Sequence, residues 1–175
     1  NHYTARKRLR SNDAYTAGGQ AGFRPDYAVS VYSRILRQIY PDTPIVLGGI
    51  EASLRRLTHF DYWQNRLLPG ILHESGANLL VYGMGEKSIR EIALRLNSGE
   101  TIGALTNVPQ TAYIHQSGPL PEGLTLHSYE ACLHDRMLFA RNFKTIEEES
   151  NKMQAARVLE PHAQGTIVVE PPYQP

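Results

Sequence analysis

Two glycine-rich turns are the stretches of this sequence with the clearest potential for chemistry. GGIEAS begins at residue 48 and GMGEKS at residue 83, and each follows a short apolar run. Because such turns place glycine backbone N–H groups beside the start of a helix, they can bind a phosphate or another polar edge of a cofactor. The predicted cofactor-binding residues are Gly48, Gly49, Glu51, Gly83, Gly85 and Glu86.

The glutamate in each turn has two interpretations. If the carboxylates of Glu51 and Glu86 point into the site, they disfavour a bare phosphate and favour a hydroxyl, amide or cationic partner. If they lie in the first turn of a helix, they stabilise the helix dipole and bind nothing. The sequence leaves both interpretations open.

Familiar nucleotide and metal motifs are incomplete or missing. GMGEKS contains two glycines of the dinucleotide pattern GxGxxG, but Ser88 occupies the third glycine position. The acidic partner of that pattern would fall near Gly103 and Ala104, and neither is acidic. The sequence contains no GxxxxGK[ST], no HExxH and no cysteine pair. A free-standing nucleotide-dependent enzyme and a zinc site are therefore disfavoured.

The elements that must position the turns alternate between helix and strand. Apolar spacing predicts helices over 28–40, 51–68 and 86–97, with strands over 45–47, 78–82 and 111–114. For the second helix, an unbroken course and a break near Thr58-His59 both stay open. This alternation is typical of right-handed βαβ units on a parallel sheet, where ligands bind at the carboxyl ends of the strands. We therefore expect the two turns to be neighbours at one end of the sheet.

Apolar spacing supports the first helix and predicts buried residues in the second. In the first helix Val31, Ile35 and Ile39 recur at spacing four, with Val29, Tyr32 and Leu36 beside them, which is typical of a helix. In the second helix Tyr62 and Trp63 are predicted to pack in the core rather than to form a stacking platform.

The last third of the chain has a different pattern. Ser128 is a candidate cap for a helix that runs to about Met153, and RVLEP and TIVVE flank a turn that predicts a β-hairpin. The sequence therefore divides into an irregular segment over 1–26, an α/β domain over 27–118, and a helical and hairpin extension over 119–175.

Bulk properties exclude several classes of protein. The chain has 175 residues, 41% of them apolar, with a net charge of +1, so it can fold around a core and carries no strong overall field. Its single cysteine, Cys132, cannot form an internal disulfide or hold an iron–sulfur cluster by itself. No apolar run approaches the roughly 18 residues of a membrane span. We expect a cytoplasmic protein without membrane contact.

The irregular N-terminal segment mixes cations with aromatic residues. Arg6, Lys7, Arg8 and Arg10 form a basic cluster, and Tyr3, Tyr15 and Phe23 lie nearby. An ordered segment of this length is either a surface wrap packed on the domain or a functional loop.

Several segments together resemble the N-terminal region of the YgiQ family of radical-SAM proteins. They are NHYTARKRLRSNDAYTAGG, GFRPD, PIVLGGIEASLRRLTHFDYW and LLVYGMGEKS, with a weaker resemblance from SYEACLHDRMLFARNFKTIEEES to VVEPPYQP. The resemblance covers nearly the whole chain, and GGIEASLRR and the spaced DAYT, GG, G and RPD residues are its most specific parts.

The resemblance implies a fold and a set of cofactors. The matching region is similar to the flavodoxin-like, cobalamin-binding-like α/β domain that precedes many radical-SAM barrels. In such proteins the barrel has a CxxxCxxC motif, which holds a 4Fe–4S cluster that cleaves S-adenosylmethionine. This chain has no such motif, so the cluster and S-adenosylmethionine are expected in a downstream domain of a longer protein. The resemblance also implies that the two strand-end turns face the cofactor and the barrel.

Cobalamin is a further cofactor to weigh from the same resemblance. His73 matches the second half of the DxHxxG element that places a histidine below the cobalt, but Ile71 occupies the aspartate position. We interpret this match as coincidence, which leaves base-off binding without a histidine ligand.

Two functions therefore follow from the sequence. The first is an accessory domain that shapes the cofactor or substrate side of a radical-SAM active site, has no catalytic residue of its own, and has its own downstream radical-SAM domain as partner. The alternative is a non-catalytic module whose basic and aromatic N-terminal segment binds nucleic acid or a protein.

Overall fold

A central six-stranded sheet with helices around it organises the molecule, and the computed structural model describes residues 3–4 and 6–174. The strands are β1 (Val46–Leu47), β2 (His59–Asp61), β3 (Arg66–Leu68), β4 (Leu79–Val81), β5 (Thr111–His115), β6 (Leu124–Thr125), β7 (Val158–Glu160) and β8 (Thr166–Val169). The helices are α1 (Ala28–Ile39), α2 (Gly49–Leu54), α3 (Ile71–Ser75), α4 (Glu86–Asn97), α5 (Tyr129–His134) and α6 (Arg136–Ser150). Short 3₁₀ turns occur at Ala17–Gly19 and Ile102–Ala104.

The sheet has the spatial order β1-β4-β5-β8-β7-β6 and mixes strand directions. Strands β1 and β4 are parallel, with Val46 opposite Leu79, whereas β5 runs antiparallel to both β4 and β8. The predicted α/β class, a flavodoxin-like central sheet with flanking helices, is confirmed, but the sheet is mixed rather than wholly parallel. The cause is the connection after α4, which returns the chain to the carboxyl end of β4, so that Thr111 begins β5 beside Val81.

The predicted C-terminal hairpin is present and lies inside this sheet. Strands β7 and β8 are antiparallel, and β8 also pairs with β5 from Thr166 opposite His115 to Val169 opposite Ala112. The sheet therefore combines strands from both sides of residue 118. The predicted C-terminal helix is two helices, because the backbone of Asp135 is extended and its carboxylate caps α6 by accepting from the Met137 N–H. Ser128 caps α5 as predicted.

The helix predicted over 51–68 is wrong in its second half. Helix α2 ends at Leu54, and the chain then forms the β2–β3 hairpin. The carboxylate of Asp61 accepts a hydrogen bond from the Gln64 N–H at 2.7 Å, a local turn that competes with helix. As a result Tyr62 and Trp63 are exposed, and the prediction that they pack in the core is also wrong.

Helix α1 is present as predicted, but most of its large apolar residues are exposed. Tyr32, Ile35, Leu36 and Ile39 are between 44% and 58% exposed. The buried side of α1 consists of small residues, Ser30 and Ser33, and α1 packs against α3. Small side chains let two helices approach closely, so the large apolar residues of α1 face outward.

The core lies on both faces of the sheet. One cluster contains Leu47, Ala52, Leu57, Ile71, Leu72, Ala77, Leu80, Ala112, Leu126, Val158, Ile167 and Val169. The other contains Leu79, Val81, Ile92, Leu105, Val108, Tyr113, Leu159 and Val168. Alternate residues of β4 and β8 point to opposite faces, as the pleat of a strand requires, so both strands are buried on both sides.

Candidate functional site at the strand ends

The two predicted glycine turns are neighbours in the fold. The Gly83 N–H donates to the Ser53 hydroxyl of α2 at 3.3 Å, which joins the second turn to the helix that follows the first. A Cβ placed on Gly48 would lie 3.9 Å from the Val81 carbonyl oxygen, at the end of β4. The expected juxtaposition at the carboxyl ends of the parallel strands β1 and β4 is therefore present.

Chain geometry explains why glycine occupies three of these positions. Gly49 has φ +85° and Gly83 has φ +66°, in the left-handed region that residues with a side chain rarely adopt. Gly85 has an ordinary φ, but a Cβ there would lie 2.7 Å from the Val81 Cγ1. These glycines are accounted for by turning and close packing, so the binding of a cofactor by them stays a prediction.

The Glu51 carboxylate stabilises two helices. Glu51 lies in the first turn of α2, and its Oε2 accepts from the Val29 N–H of α1 at 3.4 Å. Its Oε1 lies 3.2 Å from Arg55 Nη1, one helical turn further along. An acidic side chain at a helix start satisfies free N–H groups and complements the dipole, so the contacts of Glu51 favour the capping interpretation.

Glu86 has a simpler environment. It lies in the first turn of α4 and is exposed, and no described residue contacts its carboxylate through a hydrogen bond or an ion pair. Its position next to the N–H groups at the start of α4 favours the dipole interpretation, while its exposure leaves the carboxylate free to meet a partner.

A buried carboxylate that the sequence analysis did not single out organises the neighbouring region. Asp61 is buried, and its Oδ1 accepts from the Tyr27 hydroxyl at 2.9 Å. Arg55 Nη2 lies 3.6 Å from Asp61 Oδ2, and its guanidinium lies 4.7 Å from the centre of the Tyr27 ring. Burial raises the pKa of the Tyr27 phenol, so the hydroxyl keeps its proton and remains the donor to Asp61.

A cavity of about 700 Å³ opens beside this network. It lies between the N-terminal segment, the start of α1, helix α2 and the β2–β3 hairpin. Its lining residues are Tyr3, Lys7, Arg24, Pro25, Asp26, Tyr27, Ala28, Ile50, Glu51, Leu54, Arg55 and Trp63. Glu51 is the one predicted site residue in this lining, and the described glycines of the two turns lie outside it.

The N-terminal segment forms one wall of the cavity. The Asp13 carboxylate is buried and pairs with the Arg24 guanidinium, with Oδ1 2.8 Å from Nη2, which closes the loop between these residues. Lys7 Nζ donates to the Trp63 carbonyl at 3.3 Å, and the Tyr3 ring packs at 4.8 Å from the Trp63 ring. These contacts match the surface-wrap interpretation, and the ion pair gives a structural role to Asp13 of DAYT and Arg24 of RPD.

Large apolar side chains are exposed around the two turns. Ile50 is 80% exposed, Leu54 73% and Met84 77%. We call these three residues together with the two glycine turns the strand-end face. Isolated exposed apolar residues are ordinary, but a group of three large ones beside two strand ends is typical of a surface that contacts another molecule or domain.

The residues present do not fit a 4Fe–4S cluster. Cys132, the one cysteine of the sequence, is buried, and burial raises the pKa of its thiol. Its sulfur accepts from Asn142 Nδ2 at 3.3 Å within the fold. Across residues 3–4 and 6–174 no group of three metal-ligating side chains is close enough to hold a metal ion.

A histidine-ligated cobalamin does not fit the strand-end face. His73 lies in α3, stacked on His162 at 4.1 Å, and its buried Nε2 has no partner among the described residues. Burial lowers the pKa of His73 to about 4, and the backbone of Gly165 contacts it. Gly165 lies beside His115 at the far end of β5, so His73 is at the opposite end of the sheet from the glycine turns. The partial DxHxxG match is coincidental in this fold.

Comparison with known families decides the assignment of the chain. The sequence model of a family described as Radical SAM N-terminal matches residues 1–175. The chain belongs to the Radical SAM N-terminal family. The resemblance inferred from GGIEASLRR and the N-terminal segment is thereby confirmed.

Relatives of this Radical SAM N-terminal chain are longer proteins. A UPF0313 protein of Porphyromonas gingivalis is 51% identical over the whole chain, which covers 28% of that protein. A UPF0313 protein of Bacteroides thetaiotaomicron is 47% identical, with 30% covered, and one of Methanocella arvoryzae is 40% identical, with 29% covered. The chain therefore spans less than a third of the length of these relatives. No solved structure matches it.

In the described part of the chain, every helix is too short or too polar to cross a lipid bilayer.

Proposed function

We propose that this domain is an accessory part of a radical-SAM enzyme, with its strand-end face packed against the segment that holds the 4Fe–4S cluster and S-adenosylmethionine. The observation that carries the proposal is the exposure of Ile50, Leu54 and Met84 beside the two glycine turns. Burying a large apolar side chain fully is worth about 1.5 to 3 kcal/mol, so these residues favour a covered state. In the relatives, more than two thirds of the protein lies outside the matched region, which is enough length for a second domain.

The cavity beside the strand-end face supports a role in shaping an active site. The cavity of about 700 Å³ adjoins Ile50 and Leu54, and it presents the Arg55 and Glu51 side chains together with aromatic rings. A domain packed on the apolar rim would enclose this cavity and exclude water from it. The proposed roles of this chain are therefore to close one side of the active site and to orient a polar substrate, while the cluster cysteines come from the rest of the protein.

A charge introduced into the strand-end face tests the proposal. In the complete protein with its cluster reconstituted, we expect Ile50→Arg and Leu54→Arg to lower formation of 5′-deoxyadenosine from S-adenosylmethionine at least about tenfold, since a buried unpaired charge costs several kcal/mol. Leu94→Arg, on the exposed side of α4, is the matched control and should leave the rate unchanged. If Ile50→Arg and Leu54→Arg form 5′-deoxyadenosine as fast as Leu94→Arg, the proposed role of the face is removed. A complete protein without a 4Fe–4S cluster would remove the radical-SAM assignment.

Cobalamin can be tested separately on the same preparation. Added cobalamin should not show the visible spectrum of a histidine-ligated form, because the described lining of the cavity contains no histidine. Micromolar binding without a histidine ligand would instead extend the accessory role to a second cofactor.

Nucleic-acid binding is the second candidate, and a specific observation favours it. The side chains of Arg6, Arg8 and Arg10 are exposed and make no hydrogen bond or ion pair with any described residue. Tyr15 and Phe23 are also exposed in the same segment. Cations with aromatic rings are the groups that bind single strands, and such binding falls steeply with salt. A gel-shift series with single-stranded RNA that shows no complex at low salt would remove this candidate.

A further inference from the structure

Arg56 is a largely buried cation without a counter-ion. Its Nη1 donates to the Ser53 carbonyl at 2.6 Å, and its guanidinium lies 4.8 Å from the centre of the Tyr82 ring. Its Nε is buried and has no hydrogen-bond partner within the described residues. No carboxylate of those residues forms an ion pair with it, although the adjacent Arg55 has two. An unpaired buried charge is unfavourable, so an anion that reaches Arg56 gains a strong interaction.

Arg56 and Tyr82 line a second cavity, of about 200 Å³. This cavity is separate from the strand-end face and lies between the segment after α2, the end of α6 and the chain that leaves β8. Most of its wall is apolar. The apolar lining residues are Leu57, Ile146, Ala155, Ala156, Val158, Val169, Pro171 and Pro172.

The two carboxylates that also line this cavity already have cationic partners. Glu149 Oε2 lies 2.6 Å from Lys152 Nζ, and its other oxygen accepts from the Ala156 N–H. Both oxygens of Glu170 pair with the guanidinium of Arg157. Among the described residues, the charge of Arg56 is thus the one in this lining that no neighbour compensates.

We infer that the cavity beside Arg56 binds an aliphatic monocarboxylate. One unpaired guanidinium matches one negative charge, and a planar fork of donors matches the two oxygens of a carboxylate. The apolar wall suits a hydrocarbon chain rather than a sugar or a phosphate ester. At roughly 30 Å³ for a water-sized group, the cavity of about 200 Å³ holds about six or seven such groups, the size of a four- or five-carbon acid. The carboxylate belongs either to a free small molecule or to a side chain from another segment of the complete protein.

Valerate is the probe for the free ligand. The complete protein, labelled with ¹⁵N-arginine, would be titrated with valerate while the Arg56 Nε–H resonance is followed, and Arg56→Lys identifies that resonance by removing it. We expect a saturable shift with valerate and at least about tenfold weaker binding of pentan-1-ol, which has similar shape and no charge. Equal binding of the alcohol would overturn the inference.

Three variants control for the fold. Arg56→Gln should weaken valerate binding about tenfold or more, whereas Arg141→Gln, an exposed arginine on α6, should not change it. Ala155→Leu keeps the guanidinium and narrows the cavity, so it should weaken valerate more than acetate. If Arg56→Gln fails to fold, Ala155→Leu still tests the same site.

The resonance also distinguishes the two sources of the carboxylate. Binding of valerate supports a free ligand. No binding, with the Arg56 Nε–H resonance already at the position of a carboxylate-paired guanidinium, supports a carboxylate supplied by another segment of the protein. No binding, with the resonance at the position of an unpaired guanidinium, overturns the inference.

Discussion

Arg55 Nη2 lies 3.6 Å from Oδ2 of the buried Asp61, across the bend between α2 and the β2–β3 hairpin. The same carboxylate accepts from the hydroxyl of Tyr27, the residue that precedes α1. The start of α1 is therefore held, through one anion, against the chain between α2 and the hairpin, which is distant from it in sequence. Because Tyr27 and Arg55 both line the larger cavity, this relationship determines the shape of the candidate site.

Asp61→Asn tests the importance of that anion for the fold. The amide keeps the size of the side chain but leaves Arg55 with one anionic partner and weakens the bond from Tyr27. We expect a loss of about 2 to 4 kcal/mol in the free energy of unfolding, since removing one member of a buried pair strands the other. Urea denaturation measures the loss. Asp42→Asn, at an exposed position, should change stability by less than about 0.5 kcal/mol, and equal stability of the two variants would contradict the account.

Glu160 should make stability fall as pH rises. Its side chain is buried, both its oxygens accept from the Thr58 N–H, and burial raises the pKa of the carboxyl from 4.5 to about 7. Between these values the folded state binds more protons than the unfolded state, so the stability present below pH 4.5 is lost as pH rises through 7. The free energy of unfolding of Glu160→Gln, relative to that of wild type, should rise by about 2 kcal/mol between pH 5 and pH 8.

The test for Glu160 compares how the stability of wild type and of Glu160→Gln changes with pH, rather than their stability at one pH. Urea unfolding of wild type and Glu160→Gln at several pH values gives two curves whose difference isolates this carboxyl. If the curves run parallel from pH 5 to pH 8, Glu160 is ionised in the folded protein throughout that range and the assignment of its pKa is wrong.

Gly85→Ala should destabilise the second glycine turn. The new Cβ would lie 2.7 Å from Val81 Cγ1, so the Val81 side chain or the backbone around it must shift, at a cost of about 1 to 3 kcal/mol. Gly103→Ala is the control, because nothing lies within 4 Å of a Cβ at that position. Thermal unfolding of both variants checks the prediction. A Gly85→Ala variant as stable as the control would mean that packing does not explain this glycine.

The sequence was most informative where local patterns and tertiary structure agree. Strands β1 and β4 and helix α4 were predicted because apolar runs between glycine turns have few alternatives, and the parallel pairing of β1 with β4 then places GGIEAS beside GMGEKS. The hairpin of β7 and β8 was predicted from two apolar runs that flank a short turn. Its insertion beside β5 was not, because strand order depends on contacts between segments far apart in sequence.

The failures have physical causes in particular residues. The apolar spacing of α1 identifies an amphipathic helix but cannot tell which face is buried, and the small residues Ser30 and Ser33 occupy the inward side. Helical spacing over 51–68 concealed the turn at Asp61. The clearest signals missed were acidic residues next to aromatic ones, in RPDY and HFDYW, which together form the Tyr27–Asp61 hydrogen bond.

Oxidation of Met84 in the complete protein tests the central claim most directly. The side chain is 77% exposed in this structure, so nothing within the described chain protects it, and methionine oxidation follows exposure. If the strand-end face packs against the rest of a radical-SAM enzyme, mass spectrometry after brief peroxide treatment should show Met84 oxidising at least about fivefold more slowly in the folded complete protein than in the same protein unfolded in guanidinium. Equal rates in the folded and unfolded protein would contradict the account.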